Sequence, residues 1–236
     1  MEDFILGAFP ENLVPKLGLE DLALDPNSYV DDQLRRSFAD LVYRCPYGRD
    51  EVSITLLFEH KSSPEATPHF QLLRYMLNIW EKQLQKKETP QPIIPVILYH
   101  GKSNWPKTSF AESLAVLDAD LETYFPEFDY LLVDLSIWHE DQIRHLFQTV
   151  EMRITLNVLK YVFFESELIK NWHEIFSSLD DLLATNKGET FFSQTLVYLY
   201  RSTNLKLENI VAYTQKLSYK GGQVAMTLAE RLEQKG

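Results

Sequence analysis

Two β-rich runs separated by a turn constrain this chain more than anything else in it. Ala39 to Tyr43 and Val52 to Phe58 are dense in leucine, β-branched and aromatic side chains, the types that fit a pleated, half-buried surface. Between them Pro46, Tyr47, Gly48, Arg49 and Asp50 supply the residues that reverse a chain. The pattern predicts strands over about 39–45 and 52–60, neighbours in one sheet. Each carries charge where a bland core strand would not: Asp40 early in the first, Glu59 and Lys61 at the end of the second. Successive strand side chains alternate faces, so Glu59 and Lys61 share a face and His60 takes the other. Two carboxylates and a lysine on adjoining strands are chemistry for a divalent metal and a phosphate. Magnesium takes hard carboxylate oxygens, and an ammonium beside it holds a phosphate or orients a water. The two carboxylates are expected within roughly 4–6 Å of each other, close enough to share one cation at about 2.0–2.1 Å from each oxygen.

The spacing of Asp40 and the Glu59-x-Lys61 pair resembles the active-site pattern of the PD-(D/E)XK nuclease superfamily. The surrounding runs FADLVYR, LLFEHKSSPE, LLRYMLNIWE and IIPVILYHGKSNWP are more specific. From about Phe4 to the middle of the chain they resemble the Rpn family of recombination-promoting nucleases, also described as YhgA-like transposases. The resemblance implies an α/β fold, a PD-(D/E)XK nuclease-like mixed sheet flanked by helices. It implies a magnesium-dependent DNA endonuclease linked to recombination or transposition, with DNA as the partner and Mg2+ as the cofactor. Asp40 and Glu59 would hold the metal, with the backbone carbonyl of His60 as a further ligand. Lys61 would orient the attacking water or stabilise the phosphate, with no covalent intermediate. Gln71 and Tyr75, in the first turns of the next helix, would supply accessory polar contacts; ordinary helix surface is the competing reading of both. Members of the family begin with a segment bearing His-Asp and Phe-Lys patterns that this chain does not show. The alternative is therefore a truncated, inactive nuclease-fold protein acting as a binding or assembly module. In a third, blander reading, Glu59 and Lys61 are a surface pair at a strand end.

Charge bears on the choice. The formal net charge is −11, whereas phosphate contacts favour a basic face. A nuclease of this composition needs carboxylates for metal and only a local basic rim. Asp31, Asp32, Arg35 and Arg36 are candidates for that rim, or else a solvated connector. No apolar run is long enough to span a bilayer, and the N-terminus MEDFILGAFPENL has no basic leader region. A cytoplasmic protein with no membrane partner is expected, and a homo-oligomer stays open. The single cysteine, Cys45, excludes an internal disulfide and reads as a small buried hydrophobe. The six histidines are scattered without metal-site spacing, and His100 reads as structural or as part of a substrate rim.

Periodicity orders the rest. A short helix is expected within 1–13, a strand over 17–26, and a long helix over 70–87 whose apolar face is Leu72, Leu73, Met76, Leu77, Trp80 and Leu84. Ile93 to Tyr99 reads as a buried central strand, 112–125 as containing a helix, and 129–135 as another strand. From about 140 the pattern is helical, with segments over 140–147, 152–164, 168–183, 189–201 and 205–217. Gly221-Gly222 is expected to break the chain before a last segment over 224–232. The shift divides the chain into an α/β core, 1–139, and a helical subdomain, 140–236.

Overall fold

The computed structural model describes residues 1–25, 41–48, 53–114 and 119–233, with main chain alone over 53–60 and at 119, 122 and 233. It is mixed α/β, and the chain divides into two compact units, Met1–Ile137 and Trp138–Gly236.

The first unit opens with α1 (Glu2–Ala8), which buries Phe4 and Ile5. Where one strand was expected over 17–26, two 3-10 turns, Val14–Lys16 and Leu19–Asp21, lead into a two-residue strand, β1 (Ala23–Leu24). The leucines explain the difference. Those at 17 and 19 fall out of phase with those at 22 and 24, so no single strand puts all four on one face. β2 (Leu41–Pro46) and β3 (Ser53–Lys61) follow and pair antiparallel, with Leu41 opposite Phe58 and Pro46 opposite Ser53. After β2 the chain turns at Gly48, whose φ of +72° favours glycine; its N–H donates to the carbonyl of Lys16 at 2.7 Å. β1 lies on the far side of β2, where Asp25 accepts a 2.7 Å hydrogen bond from Arg44.

α2 (Pro68–Gln85) carries the chain from β3 to β4 (Ile93–Tyr99), which runs parallel to β3. Such parallel pairs need a crossover, and a helix is its usual form. Pro95 sits just before Val96, where pairing with the next strand begins, so it lies outside that ladder. α3 (Phe110–Ser113) is one turn closed by a capping box between Ser109 and Glu112. The helix expected over 112–125 is this turn and a 3-10 helix, Ala119–Tyr124, with 115–118 outside the described residues. β5 (Leu131–Asp134) completes a sheet of order β1-β2-β3-β4-β5.

The buried face of α2 is Leu72, Tyr75, Met76, Ile79 and Gln83, a stripe spaced three and four apart. It differs from the expected face: Leu77 and Leu84 are exposed. Both stripes contain apolar residues, and the one that wins includes Tyr75 and Gln83, whose side-chain oxygens accept hydrogen bonds. Gln83 accepts from the N–H of Gln91 at 3.0 Å. Leu72, Tyr75 and Ile79 pack with Val42, Ile97 and Tyr99 in one cluster. Burying side chains of this size stabilises by about 1.5–3 kcal/mol each.

Every described element of the second unit is helical: α4 (Glu140–Leu146), α5 (Val150–Tyr161), α6 (Glu165–Lys170), α7 (Trp172–Ile175), α8 (Leu179–Leu182), α9 (Asn186–Ser202), α10 (Leu207–Leu217) and α11 (Tyr219–Glu233). The expected helix over 168–183 is three short ones, because Asn171 and the Ser177-Ser178 pair interrupt it; such residues offer the backbone alternatives to helical bonding. Gly221-Gly222 does not break α11. A Cβ at Gly221 would come within 2.7 Å of Leu179 Cδ2, and one at Gly222 within 3.1 Å of the Gln215 Cα. The pair is small so that α11 can lie against its neighbours. Phe176, Leu183, Phe192, Leu196 and Leu199 form the fully buried centre of this unit.

Candidate active site

The site is built at the end of β3, where a strand leaves the sheet and a loop leads into α2. Lys61 is the last residue of β3, and its side chain is only 8% exposed. A buried ammonium is costly unless it is hydrogen-bonded or paired, and this one is both. Nζ donates to Gln71 Oε1 at 2.5 Å and meets Glu65 Oε2 at 2.6 Å. The amide of Gln71 donates in turn to Tyr75 Oη at 2.9 Å. Tyr75 is 1% exposed in the α2 cluster. The four-residue spacing puts Gln71 and Tyr75 on the same face of the helix, so core packing of Tyr75 fixes Gln71, and Gln71 fixes the ammonium.

The main chain around Lys61 is held as firmly. Its carbonyl accepts from the N–H of His100 at 3.0 Å, just past the end of β4. At Gly101 a Cβ would come within 2.5 Å of the Ser62 carbonyl oxygen and 2.2 Å of Tyr99 Oη. Only glycine lets the two strand exits approach this closely, and Tyr99 Oη donates onward to the Ser103 carbonyl at 2.5 Å. His100, 2% exposed, therefore contributes its backbone to the site's frame.

Of the residues expected to carry chemistry, the structure brings Lys61, Gln71 and Tyr75 together. Asp40 lies outside the described residues, as do Asp31, Asp32, Arg35 and Arg36. The side chain of Glu59 also lies outside them, and with it the expected carboxylate separation; its main chain is in β3, paired with Ile97, and that of His60 with Leu98. The described ladder between β2 and β3 ends with Leu41 opposite Phe58, the residues next in sequence to Asp40 and Glu59. Among the described residues no cluster of three or more histidine, cysteine, aspartate or glutamate side chains could hold a metal. The ligands expected from the sequence, Asp40, Glu59 and the His60 carbonyl, are an all-oxygen donor set of the kind magnesium takes. Sequence reasoning missed Glu65, because an acid four residues beyond a lysine signals a pair on a helix, and here the two are joined by a loop. It also missed the tight contact at Gly101, although the Tyr-His-Gly turn is visible in the sequence.

Near the start of α2, His69 is fully buried. Its ring stacks on Phe110 at 5.4 Å and meets Phe128 and Tyr130 edge-on at 5.7 and 5.3 Å. Burial pushes its pKa below the ordinary histidine value; Asp129 opposes the shift and Lys107 adds to it. Cys45 is 1% exposed and free, and burial pushes its thiol pKa up. It is a packed small hydrophobe.

Comparison with known proteins agrees with the resemblance drawn from the sequence. Residues 1–190 match the model of a family described as "Putative transposase, YhgA-like". Among curated proteins, the chain is 28% identical over 146 residues to the inactive recombination-promoting nuclease-like protein RpnE of Escherichia coli K12, covering 60% of this chain and 48% of that protein. It is 28% identical over 147 residues to the recombination-promoting nuclease RpnD of Escherichia coli O157:H7, covering 60% of this chain and 55% of the relative. It is 22% identical to RpnC of Escherichia coli K12 over 99% of this chain and 76% of the relative. The chain thus spans about half the length of the first two. No solved structure matches the chain. No helix among the described residues is long and apolar enough to cross a membrane.

Proposed function

The chain belongs to the YhgA-like family, and on that premise we propose that it is a magnesium-dependent DNA endonuclease that hydrolyses phosphodiester bonds in recombination or transposition. The observation that carries the reading is Lys61, a buried ammonium at the end of a sheet strand, anchored through Gln71 to a core tyrosine. A charge fixed in this way needs no reorganisation when a phosphoryl oxygen gains charge, and preorganised groups of this kind dominate transition-state stabilisation. The sheet order supports a PD-(D/E)XK-like reading of the first unit: an antiparallel β2–β3 pair, the α2 crossover, then parallel β4 and β5. The names of RpnD and RpnC, recombination-promoting nucleases, support it at family level.

In this reading Asp40, Glu59 and the His60 carbonyl hold the metal. When bound, magnesium supplies Lewis acidity to the phosphoryl oxygen and lowers the pKa of an attacking water. Lys61 donates to a non-bridging phosphate oxygen, Gln71 aims the ammonium, and Tyr75 holds Gln71. A second reading, a binding or assembly module, draws on the name of RpnE, which is called inactive.

One assay separates the two. Purified protein is incubated with plasmid DNA in magnesium, in manganese or with chelator. Nicking that needs the metal is expected. It should be lost in Asp40→Ala and Glu59→Ala, slowed by about 10²–10³ in Lys61→Ala, and little changed in His60→Ala. Equal cleavage by wild type and Asp40→Ala would expose a contaminant and leave the module reading in front.

A further inference from the structure

The two described partners of the Lys61 ammonium are unequal. Gln71 belongs to a helix and is tied to buried Tyr75. Glu65 stands on the loop between β3 and α2, with 37% of its side chain exposed against 8% for Lys61. That loop is pinned at its start, where Lys61 accepts from His100 and Ser62 abuts Gly101. It is pinned again where α2 begins at Pro68. Glu65 lies between the pins, itself partly exposed.

We propose that Glu65 is an internal stand-in for phosphate, covering Lys61 until a phosphate group displaces it. The proposal rests on the phosphate-binding role given to Lys61 above. A carboxylate 2.6 Å from the ammonium offers the same geometry as a phosphoryl oxygen, since charge-assisted N–H···O bonds to either run about 2.7–2.9 Å. The ammonium has three N–H groups, and the one that Glu65 takes is the one a phosphate arriving from the loop side would need. A phosphate that arrived with Glu65 still in place would meet a nearly neutral pair and a second anion. The carboxylate must therefore swing outward, and its exposure gives it room. Only the carboxylate end of the pair is solvated, so the buried ammonium cannot be left bare. A phosphate brought by a whole duplex, held at several points, can displace Glu65 by taking its place as the ammonium's anion. A lone anion makes that exchange with fewer contacts. Glu65 would thus discriminate against small anions in favour of a polyanion held at several points.

The test follows Lys61 itself. Acylation of its amine by a soluble amine-reactive ester is read by peptide mass spectrometry, with inorganic phosphate as the competing ligand. The wild type is compared with E65Q, which keeps shape without charge, and with E65D, which keeps charge but shortens the reach. Phosphate should protect Lys61 in all three, with half-protection in both variants at a concentration lower by about fivefold or more, since about fivefold is the upper weight of an exposed pair and Lys61 is buried. In plasmid cleavage the variants should lower KM with kcat unchanged. Equal or higher half-protection concentrations in E65Q, or no protection in any of the three, would overturn the proposal. An unchanged KM or a reduced kcat in E65Q would also overturn it, making Glu65 a positioning residue. If phosphate displaces Glu65 as expected and plasmid is never cut, the nuclease reading fails while the stand-in survives.

Discussion

Gly101→Ala strikes the point where two strand exits meet. The added methyl would fall 2.5 Å from a main-chain oxygen, that of Ser62, and 2.2 Å from Tyr99 Oη. The tyrosine oxygen is at the end of a side chain, yet that side chain is fully buried and bonded to Ser103, so it has little freedom to yield. The strands must part instead. Parting weakens the His100-to-Lys61 and Tyr99-to-Ser103 hydrogen bonds, each with a net contribution of about 0.5–1.5 kcal/mol. Overpacking adds about 1–3 kcal/mol; with the two hydrogen bonds weakened by about half rather than broken, a local loss of about 2–4 kcal/mol is expected. Native-state hydrogen exchange measures it segment by segment: amides of β3 and β4 should exchange about 30- to 1,000-fold faster, while those of α9 keep their rates. Cleavage should fall as Lys61 shifts from Gln71. Unchanged exchange in β3 and β4 would refute the claim that the close approach at Gly101 frames the site.

Two further substitutions test the packing. His69→Phe keeps the aromatic stack and removes a ring nitrogen, Nε2, that is buried without a described partner. The folded pKa of His69 lies below its unfolded value, so the unfolded state binds more protons as pH falls. Its stabilising effect is therefore whole above about pH 6.5 and is lost as pH drops from there toward the folded pKa. Denaturant midpoints measured across that window should slope less in His69→Phe, and an identical slope would assign the acid sensitivity elsewhere. Gly188→Ala would place a Cβ within 1.8 Å of the Leu182 carbonyl oxygen, a main-chain atom. It should destabilise the helical unit by about 3 kcal/mol, read as faster exchange in α8 and α9 with β3 unaffected.

How legible the site was in the sequence depended on the range of the interaction. The β2–β3 pair, α2 and β4 are strong local signals, and the structure has them within a residue or two of the expected bounds. The place of Lys61 at the end of β3 was legible because the strand signal is itself local. The rotation of α2 was not. Two apolar stripes competed, and the buried one places the side-chain oxygens of Tyr75 and Gln83 against donors, which periodicity does not encode. Gly221-Gly222 misled for a related reason: glycine weakens a helix locally, but here a neighbouring helix needs the missing side chain. The Glu65 contact is a product of loop geometry, and no spacing rule points to it.

The arrangement of the sheet has a consequence for how the molecule reaches its native state. β3 is shared by two pairings of very different range. Its antiparallel partner β2 ends only a few residues before it in sequence, while its parallel partner β4 pairs residues roughly forty positions apart. Closing the longer loop costs more chain entropy and comes later. The Lys61 side of the ladder, where His100 fastens the strand exit, is thus assembled only when the second, slower half is in place. Until then one margin of β3 is an unpaired template, open to a strand of another chain. The residue that would bind phosphate therefore sits on the last seam to close, and the same late contact that completes the site removes the exposed edge.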